Sequence, residues 1–165
     1  MNLIGYKILI VLGIYMFMEP YWLKTEETTF ASRDIPESFD SARFVFVSDI
    51  HHGPFFSQRR VKKTVKKINK LEPDFVLLGG DYVHANAKYI GPCFKELKKI
   101  ESKEGVYGVL GNHDHWESEE KTRKAFKQAG FTSVDNYSVW LKRGNEKIKI
   151  GGVGDMWEDE QRLDQ

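Results

Sequence analysis

The stretch FVFVSDIHHG, residues 44–53, decides the fold of this chain. Phe44–Val47 is a short aromatic and β-branched run, which predicts a buried strand, and polar side chains follow it directly. The same arrangement recurs in FVLLGGD at residues 75–81 and in VYGVLGNHD at residues 106–114. In open α/β sheets the ligand crevice lies outside the carboxyl ends of the strands, so we expect the three polar loops to meet there.

Amphipathic segments separate the three predicted strands. Val61, Val65 and Ile68 recur with the spacing of an α-helix, and Pro73 ends this pattern before the second strand. Two further helices are predicted over residues 94–100 and 122–129, and a β-hairpin over residues 137–150. Strands that alternate with helices predict an α/β fold with a mostly parallel sheet.

The composition fits one folded domain. The chain has 165 residues, of which 41% are hydrophobic, and a formal net charge of +1. The apolar content excludes a disordered chain, and the balanced charge excludes a globally basic nucleic-acid binder, so no specific nucleic-acid binding is expected. The single cysteine, Cys93, excludes an intramolecular disulfide and a cysteine-rich zinc site.

The first twenty residues differ from the rest of the chain. Ile8–Met18 carries no charge, and Tyr21 and Trp22 follow it, as aromatic residues do at a membrane surface. We predict that residues 1–20 are an uncleaved signal-anchor or transmembrane segment; the alternatives are a cleaved signal and a buried apolar segment of the domain. Lysine before this run and glutamates after it favour a membrane protein whose C-terminal domain is extracytoplasmic. Residues 21–42 are predicted to be a polar connector, and residues 43–165 the folded domain.

The three predicted strand ends carry the residue types that bind metal ions. Asp49 and His51 lie two residues apart on chain that leaves a strand, so both side chains can point the same way. A carboxylate with an imidazole suits zinc, manganese or iron, and Asp81, after two glycines, offers a carboxylate that can bridge two ions. Asn112 offers an amide oxygen, whereas His113 projects elsewhere and suits an acid better than a ligand.

These residues resemble the motifs of the calcineurin-like metallophosphoesterase superfamily: D-x-H at residues 49–51, G-D at 80–81 and G-N-H-D at 111–114. The resemblance covers roughly residues 44–159 and is nearest to bacterial members that are membrane-attached or exported. It implies an α/β fold that forms the N-terminal part of a calcineurin-like four-layer α/β/β/α sandwich.

The same resemblance implies a dinuclear centre of two divalent metal ions (Mn, Fe or Zn). In it Asp49 and His51 would bind the first ion, Asp81 would bridge both and Asn112 would bind the second. His113 would protonate the leaving oxygen or stabilise the phosphoryl transition state. Asp114 would hold the His113 imidazole in the useful tautomer.

Three further histidines adjoin these motifs. We take His52, His84 and His115 as candidates for contacts with the substrate. For His52 and His115, contacts with the metal ligands or with solvent are the alternative.

Members of the superfamily continue with one more histidine and a G-H-x-H loop, whereas this sequence has no histidine after His115. We therefore expect residues 43–165 to be an incomplete metallophosphoesterase domain. Two functions stay open. The first is metal-dependent hydrolysis of a phosphoester, with lipid-linked and nucleotide-like esters as candidate substrates. The second is a non-catalytic fragment that binds metal weakly or not at all.

Overall fold

The computed structural model describes residues 3–162, and the ends of the predicted anchor and of the predicted domain, residues 1–2 and 163–165, lie outside them. The chain divides into two compact units, Met1–Ala31 and Ser32–Gln165. The first unit holds helix α1, Leu3–Met18, and a 3-10 turn at Glu19–Tyr21. Within residues 3–162, no helix combines the length and the apolar character needed to cross a bilayer.

The second unit is built on a parallel sheet of four strands in the order β1-β2-β3-β4. The strands are β1 Phe44–Val47, β2 Phe75–Leu78, β3 Val106–Gly108 and β4 Thr132–Ser133. An antiparallel hairpin follows, formed by β5 Tyr137–Arg143 and β6 Glu146–Gly152. The predicted α/β fold with a parallel sheet is thereby confirmed, although β3 ends two residues earlier than its apolar run and β4 was not predicted.

Three helices connect the parallel strands: α2 Gln58–Asn69, α3 Ile90–Leu97 and α4 Asn112–Gln128. The helix α3 ends before Ile100, which the sequence pattern had included. The helix α4 begins ten residues earlier than predicted, inside the G-N-H-D motif, and leaves helical geometry at Ser118. The apolar spacing from Thr122 onward therefore marks only the part of α4 after this kink.

The core lies between the sheet and these helices. The helix residues Val61, Phe94 and Leu97 are buried against strand residues Val76 and Leu78. The hairpin packs on the opposite face of the sheet, where a second, smaller cluster is formed by Phe39, Phe75 and Leu141. Alternation of side chains along each strand explains why the two faces have separate apolar clusters.

Part of that opposite face is open. The Phe46 side chain is 69% exposed. It lines a cleft of about 500 Å³ between the sheet and the hairpin, together with Leu77, Tyr107 and Ile150.

The buried Asp74 carboxylate joins the hairpin to the sheet at the amino ends of the parallel strands. Asp74, just before β2, accepts hydrogen bonds from the Arg43 amide (2.7 Å) and the Lys103 ammonium (2.9 Å), and it lies 3.3 Å from the Arg143 guanidinium. Burial would raise the pKa of this carboxyl, but these three donors outweigh burial and lower the pKa to about 2. Asp74 is therefore ionised wherever the protein is studied near neutral pH.

Candidate metal centre

The loops after β1 and β2 run side by side beyond the ends of their strands. The Asp49 amide donates to the Gly80 carbonyl (3.2 Å), and the His51 amide donates to the Asp81 carbonyl (2.9 Å). The parallel pairing of β1 with β2 is thus continued into the motif residues. This pairing places D-x-H and G-D next to each other, as their positions at strand ends predict.

Two glycines let the loop after β3 join them. Gly80 has φ +91°, and a Cβ on it would lie too close to the Gly111 backbone. A Cβ on Gly111 would in turn overlap with the Asp81 carboxylate. Both motifs therefore need glycine because the chains approach each other more closely than a side chain allows.

Three side chains of the centre sit on backbone in the left-handed region. The φ angles are 56° at Asp49, 47° at His51 and 54° at Asp81. Each such residue other than glycine costs of order 1–3 kcal/mol and persists only where the surrounding structure enforces it. Strain of this kind concentrates at ligand-binding sites, and here all three strained residues are predicted metal ligands.

The donor atoms of these residues converge. The His51 Nε2 atom lies 3.5 Å from Asp49 Oδ1 and 3.5 Å from Asp81 Oδ2, and one donor atom from each residue lies within 4.8 Å of the others. The other ring nitrogen, His51 Nδ1, is buried without a hydrogen-bond partner. One imidazole and two carboxylates form a donor set that suits zinc, manganese or iron, so these residues fit a divalent ion.

The Asp81 carboxylate faces two sides. Its Oδ2 atom belongs to the cluster with His51, whereas its Oδ1 atom accepts a hydrogen bond of 3.0 Å from the His113 amide in the first turn of α4. Asn112 is half-buried and is the first residue of that helix. A carboxylate between the two loops is the arrangement that a bridging ligand requires.

Asp114 has a different place from the one expected. Its carboxylate is fully buried and accepts hydrogen bonds from the amides of Asp81 (2.8 Å), Tyr82 (3.0 Å) and Gly111 (3.1 Å). Burial, reinforced by the charge of Asp81, raises the pKa of Asp114 to about 7 although these amides oppose the shift. The structure thus makes Asp114 the side chain that fastens the loop after β2 to the loop after β3, which differs from the predicted contact with the His113 imidazole.

The partner of the His113 imidazole is His84. The two Nδ1 atoms lie 3.2 Å apart, and the His113 ring lies edge-on to the ring of His51, with centroids 4.7 Å apart. One ring nitrogen from each of these three histidines lies within 4.8 Å of the others. Of the three additional histidines, His84 is therefore the one that lies at the centre.

The other two additional histidines are placed differently. His52 is 4% exposed; its Nδ1 lies 2.7 Å from the Phe56 carbonyl, and its ring packs on Tyr89. The His115 side chain is 8% exposed, with Nδ1 3.4 Å from a carboxylate oxygen of Glu119. Both histidines are held by protein groups in positions that leave little surface for a substrate.

Two side chains at the centre were missed by the sequence analysis. The Ser48 hydroxyl donates a hydrogen bond of 2.6 Å to Asp49 Oδ2, and the Trp116 ring packs on His113 at 4.8 Å between centroids. Trp116 is 59% exposed, so it forms a wall of the centre that solvent reaches. Ser48 directly precedes the D-x-H motif and Trp116 lies two residues after the G-N-H-D motif, and this proximity is the signal that could have found them.

The parallel sheet thus ends in clustered carboxylates and imidazoles, a set of donors that suits divalent metal ions. The chain belongs to the calcineurin-like phosphoesterase family, whose family model matches residues 42–161.

Its relatives bear related names. An uncharacterized metallophosphoesterase of Aquifex aeolicus is 28% identical over 148 residues, which cover 90% of this chain and 55% of the relative. A Bos taurus transmembrane protein with metallophosphoesterase domain is 30% identical, with 93% of this chain and 32% of that protein covered. Phosphodiesterase YaeI of Escherichia coli is 25% identical, with 88% of this chain and 54% of that protein covered. The chain thus spans about half the length, or less, of these curated relatives.

The fold is also found in a solved structure. The crystal structure of TT1561 from Thermus thermophilus has a TM-score of 0.52 at 16% sequence identity, and the likeness covers 73% of this chain and 54% of that one.

Proposed function

We propose that this chain carries the metal-binding and proton-donating part of a phosphoester hydrolase. Asp49, His51 and Asp81 would hold one divalent ion, Asp81 and Asn112 a second, and His113 would act as the general acid. The observation that carries the proposal is the convergence of the first three side chains, with the His113 ring within 5 Å of His51. Membership of the calcineurin-like phosphoesterase family supports phosphoesters as the substrates.

The ions would supply the positive charge that stabilises a phosphoryl group during displacement and would lower the pKa of the attacking water. The residues of the chain have the other tasks. The left-handed backbone at Asp49, His51 and Asp81 sets the direction in which each of these side chains leaves the chain. The Asp114 carboxylate keeps the loop of Asp81 against the loop of His113 by bonding to amides of both.

The His84 contact gives His113 a definite orientation. Because His113 Nδ1 faces His84 Nδ1 at 3.2 Å, its Nε2 is the nitrogen left to donate a proton to a leaving oxygen. A positioned partner on the far nitrogen holds a catalytic imidazole in one orientation, which is one of the tasks of the carboxylate in other enzymes. His84 is therefore proposed as a positioning residue, in the role that the sequence analysis gave to Asp114.

A non-catalytic half-domain is the second candidate. The second ion has only Asp81 and Asn112 as proposed ligands in this chain. With so few protein ligands, metal affinity would be low, and the family resemblance implies that a G-H-x-H segment supplies more.

Hydrolysis of a 4-nitrophenyl phosphodiester separates the two candidates. We expect very low turnover from the 165-residue chain in Mn²⁺ and an increase of orders of magnitude when a G-H-x-H-bearing segment is fused to its C-terminus. A chelator should remove the turnover, and added Mn²⁺ should restore it. Robust chelator-sensitive turnover by the chain alone would contradict the incomplete centre. An extended chain that binds metal and still does not hydrolyse would contradict the proposed function.

We also propose that residues 1–20 attach the chain to a membrane and leave the hydrolase domain outside the cytoplasm. The helix α1 exposes large apolar side chains, such as Ile10, Val11 and Phe17. The name of the Bos taurus relative describes a transmembrane protein, which supports the same proposal. Membrane attachment would favour lipid-linked phosphoesters over nucleotide-like ones as substrates.

Fractionation tests the attachment. The full chain should sediment with membranes and resist a high-salt wash, because apolar burial is insensitive to screening by salt. A variant that lacks residues 1–20 should appear in the soluble fraction. Release of the full chain at its original size by salt alone would contradict attachment through this segment.

A further inference from the structure

A second group of metal-binding residue types lies outside the proposed hydrolytic centre. It is formed by His115 in α4, Asp135 after β4 and Asp159 in the segment after β6, and we call it the His115 cluster. One donor atom from each residue lies within 4.8 Å of the others. None of these side chains has a role in the proposed hydrolysis, so this inference is independent of the proposed function.

The His115 cluster holds buried polar atoms without partners. The His115 side chain is 8% exposed and that of Asp135 is 2% exposed. His115 Nε2 and Asp135 Oδ1 are buried and make no hydrogen bond. A buried polar atom without a partner is unfavourable and rare in native proteins, and a missing ligand is one of its ordinary explanations.

The charges around the His115 cluster are unbalanced. Asp135 forms an ion pair of 2.8 Å with Arg123, but Arg123 also donates to Glu119 at 2.7 Å. One guanidinium thus serves two carboxylates, and Asp159 brings a third. Burial raises the pKa of Asp135, and the neighbouring charge of Asp159 acts in the same direction. Extra positive charge would relieve this repulsion.

The carboxylate of Asp159 is already held in place. Its Oδ2 atom accepts a hydrogen bond of 3.1 Å from the Asn136 side chain, and its Oδ1 atom accepts one of 2.8 Å from the Glu160 amide. Asn136 also accepts from the amides of Gly154 (2.8 Å) and Arg162 (3.0 Å). The segment that carries Asp159 is therefore fixed against the loop that carries Asp135, and the donors of the cluster are positioned by contacts other than the ligand.

We propose that His115, Asp135 and Asp159 bind a divalent transition-metal ion, for which Zn²⁺ is the best match. One imidazole with two carboxylates is a mixed nitrogen and oxygen donor set, which zinc accepts with water in the remaining position. The ion would join α4, the loop after β4 and the segment after β6. It would therefore act structurally, by holding the segment that follows the hairpin against the helix that carries His113.

Zinc titration in a variant without the hydrolytic centre tests the proposal. In the full chain carrying Asp49→Ala and His51→Ala, we expect about one equivalent of Zn²⁺ to bind and to raise the melting temperature. Adding His115→Ala or Asp135→Asn should weaken zinc binding at least about 100-fold. Substituting a group that only hydrogen-bonds to a metal ligand already lowers metal affinity about 10–100-fold. Glu120→Gln is the matched control, because Glu120 is an exposed carboxylate of the same helix that lies outside the cluster, and zinc binding should survive it.

Several results would overturn the proposal. They are the absence of zinc binding by the variant lacking the hydrolytic centre, equal zinc affinity after His115→Ala, or loss of zinc in Glu120→Gln alone. If the double alanine background does not fold, equilibrium dialysis of the otherwise unaltered chain decides. His115→Ala should then remove one equivalent of Zn²⁺ from the bound total, and an unchanged total would refute the site.

Discussion

Asp81→Asn should remove bound metal and hydrolysis together. Asparagine has the shape of aspartate and keeps an oxygen that can accept the His113 amide, so the loops should stay in place. What it lacks is the negative charge beside the His51 ring, where Asp81 Oδ2 lies 3.5 Å from Nε2. Because two ions are proposed to share this carboxylate, we expect metal affinity to fall by at least about 100-fold. That is the largest loss typical of substituting a residue that only hydrogen-bonds to a metal ligand.

The measurement has two parts. Metal content after dialysis and turnover are both determined on the chain extended by the G-H-x-H segment, with His115→Ala in parent and variant so that the His115 cluster holds no ion. In the absence of metal the variant should melt at or above the temperature of the parent, because Asp81 and the buried Asp114 repel each other. Asp40→Asn, the same change at an exposed position, is the control and should alter neither metal content nor turnover. Full metal content in Asp81→Asn would show that Asp81 is not a bridging ligand.

Much of the fold could be predicted from apolar runs. β1 and β2 are contiguous apolar segments bounded by polar residues, and such runs are typical of strands in a parallel sheet. The strand β4 has only two residues, Thr132 and Ser133, both exposed, so no apolar pattern marks it. The first turns of α4 were missed for a related reason. Residues 112–118 are mostly polar and lack the apolar period that identifies a helix.

The candidate site was predictable as a set of residues but not as a set of contacts. That Asp49 and Asp81 meet follows from parallel strands ending at one edge of a sheet. The roles of Asp114 and His84 depend on tertiary geometry, because Asp114 faces amides of two loops and His84 faces the His113 ring. The same holds for the left-handed backbone at His51, because a positive φ is uncommon for every residue other than glycine and no local pattern marks it here.

His113→Ala should preserve the metal ions and still remove most hydrolysis of an alkyl phosphoester. The residue contributes its backbone amide to Asp81, which alanine retains, and its ring is proposed to donate a proton rather than to bind an ion. General-acid help is typically worth ~10²–10⁴-fold, so the loss of turnover should fall in that range. Metal content, measured on the same preparation, distinguishes the two roles. Loss of metal would identify His113 as a ligand.

The leaving group gives the sharper test of His113 and His84 together. A 4-nitrophenolate leaving group is a weak base and needs little protonation, so His113→Ala should slow its release much less than that of an alkyl alcohol. His84→Ala should show the same preference with a smaller loss, since it removes only the partner of His113 Nδ1. His84→Asp should recover part of the loss, because a carboxylate can accept from the same nitrogen. If His113→Ala slows both substrates equally, then His113 is not the proton donor. If His84→Ala slows both substrates equally while His113→Ala slows mainly the alkyl ester, then His84 supports the structure of the site and does not act through the His113 imidazole.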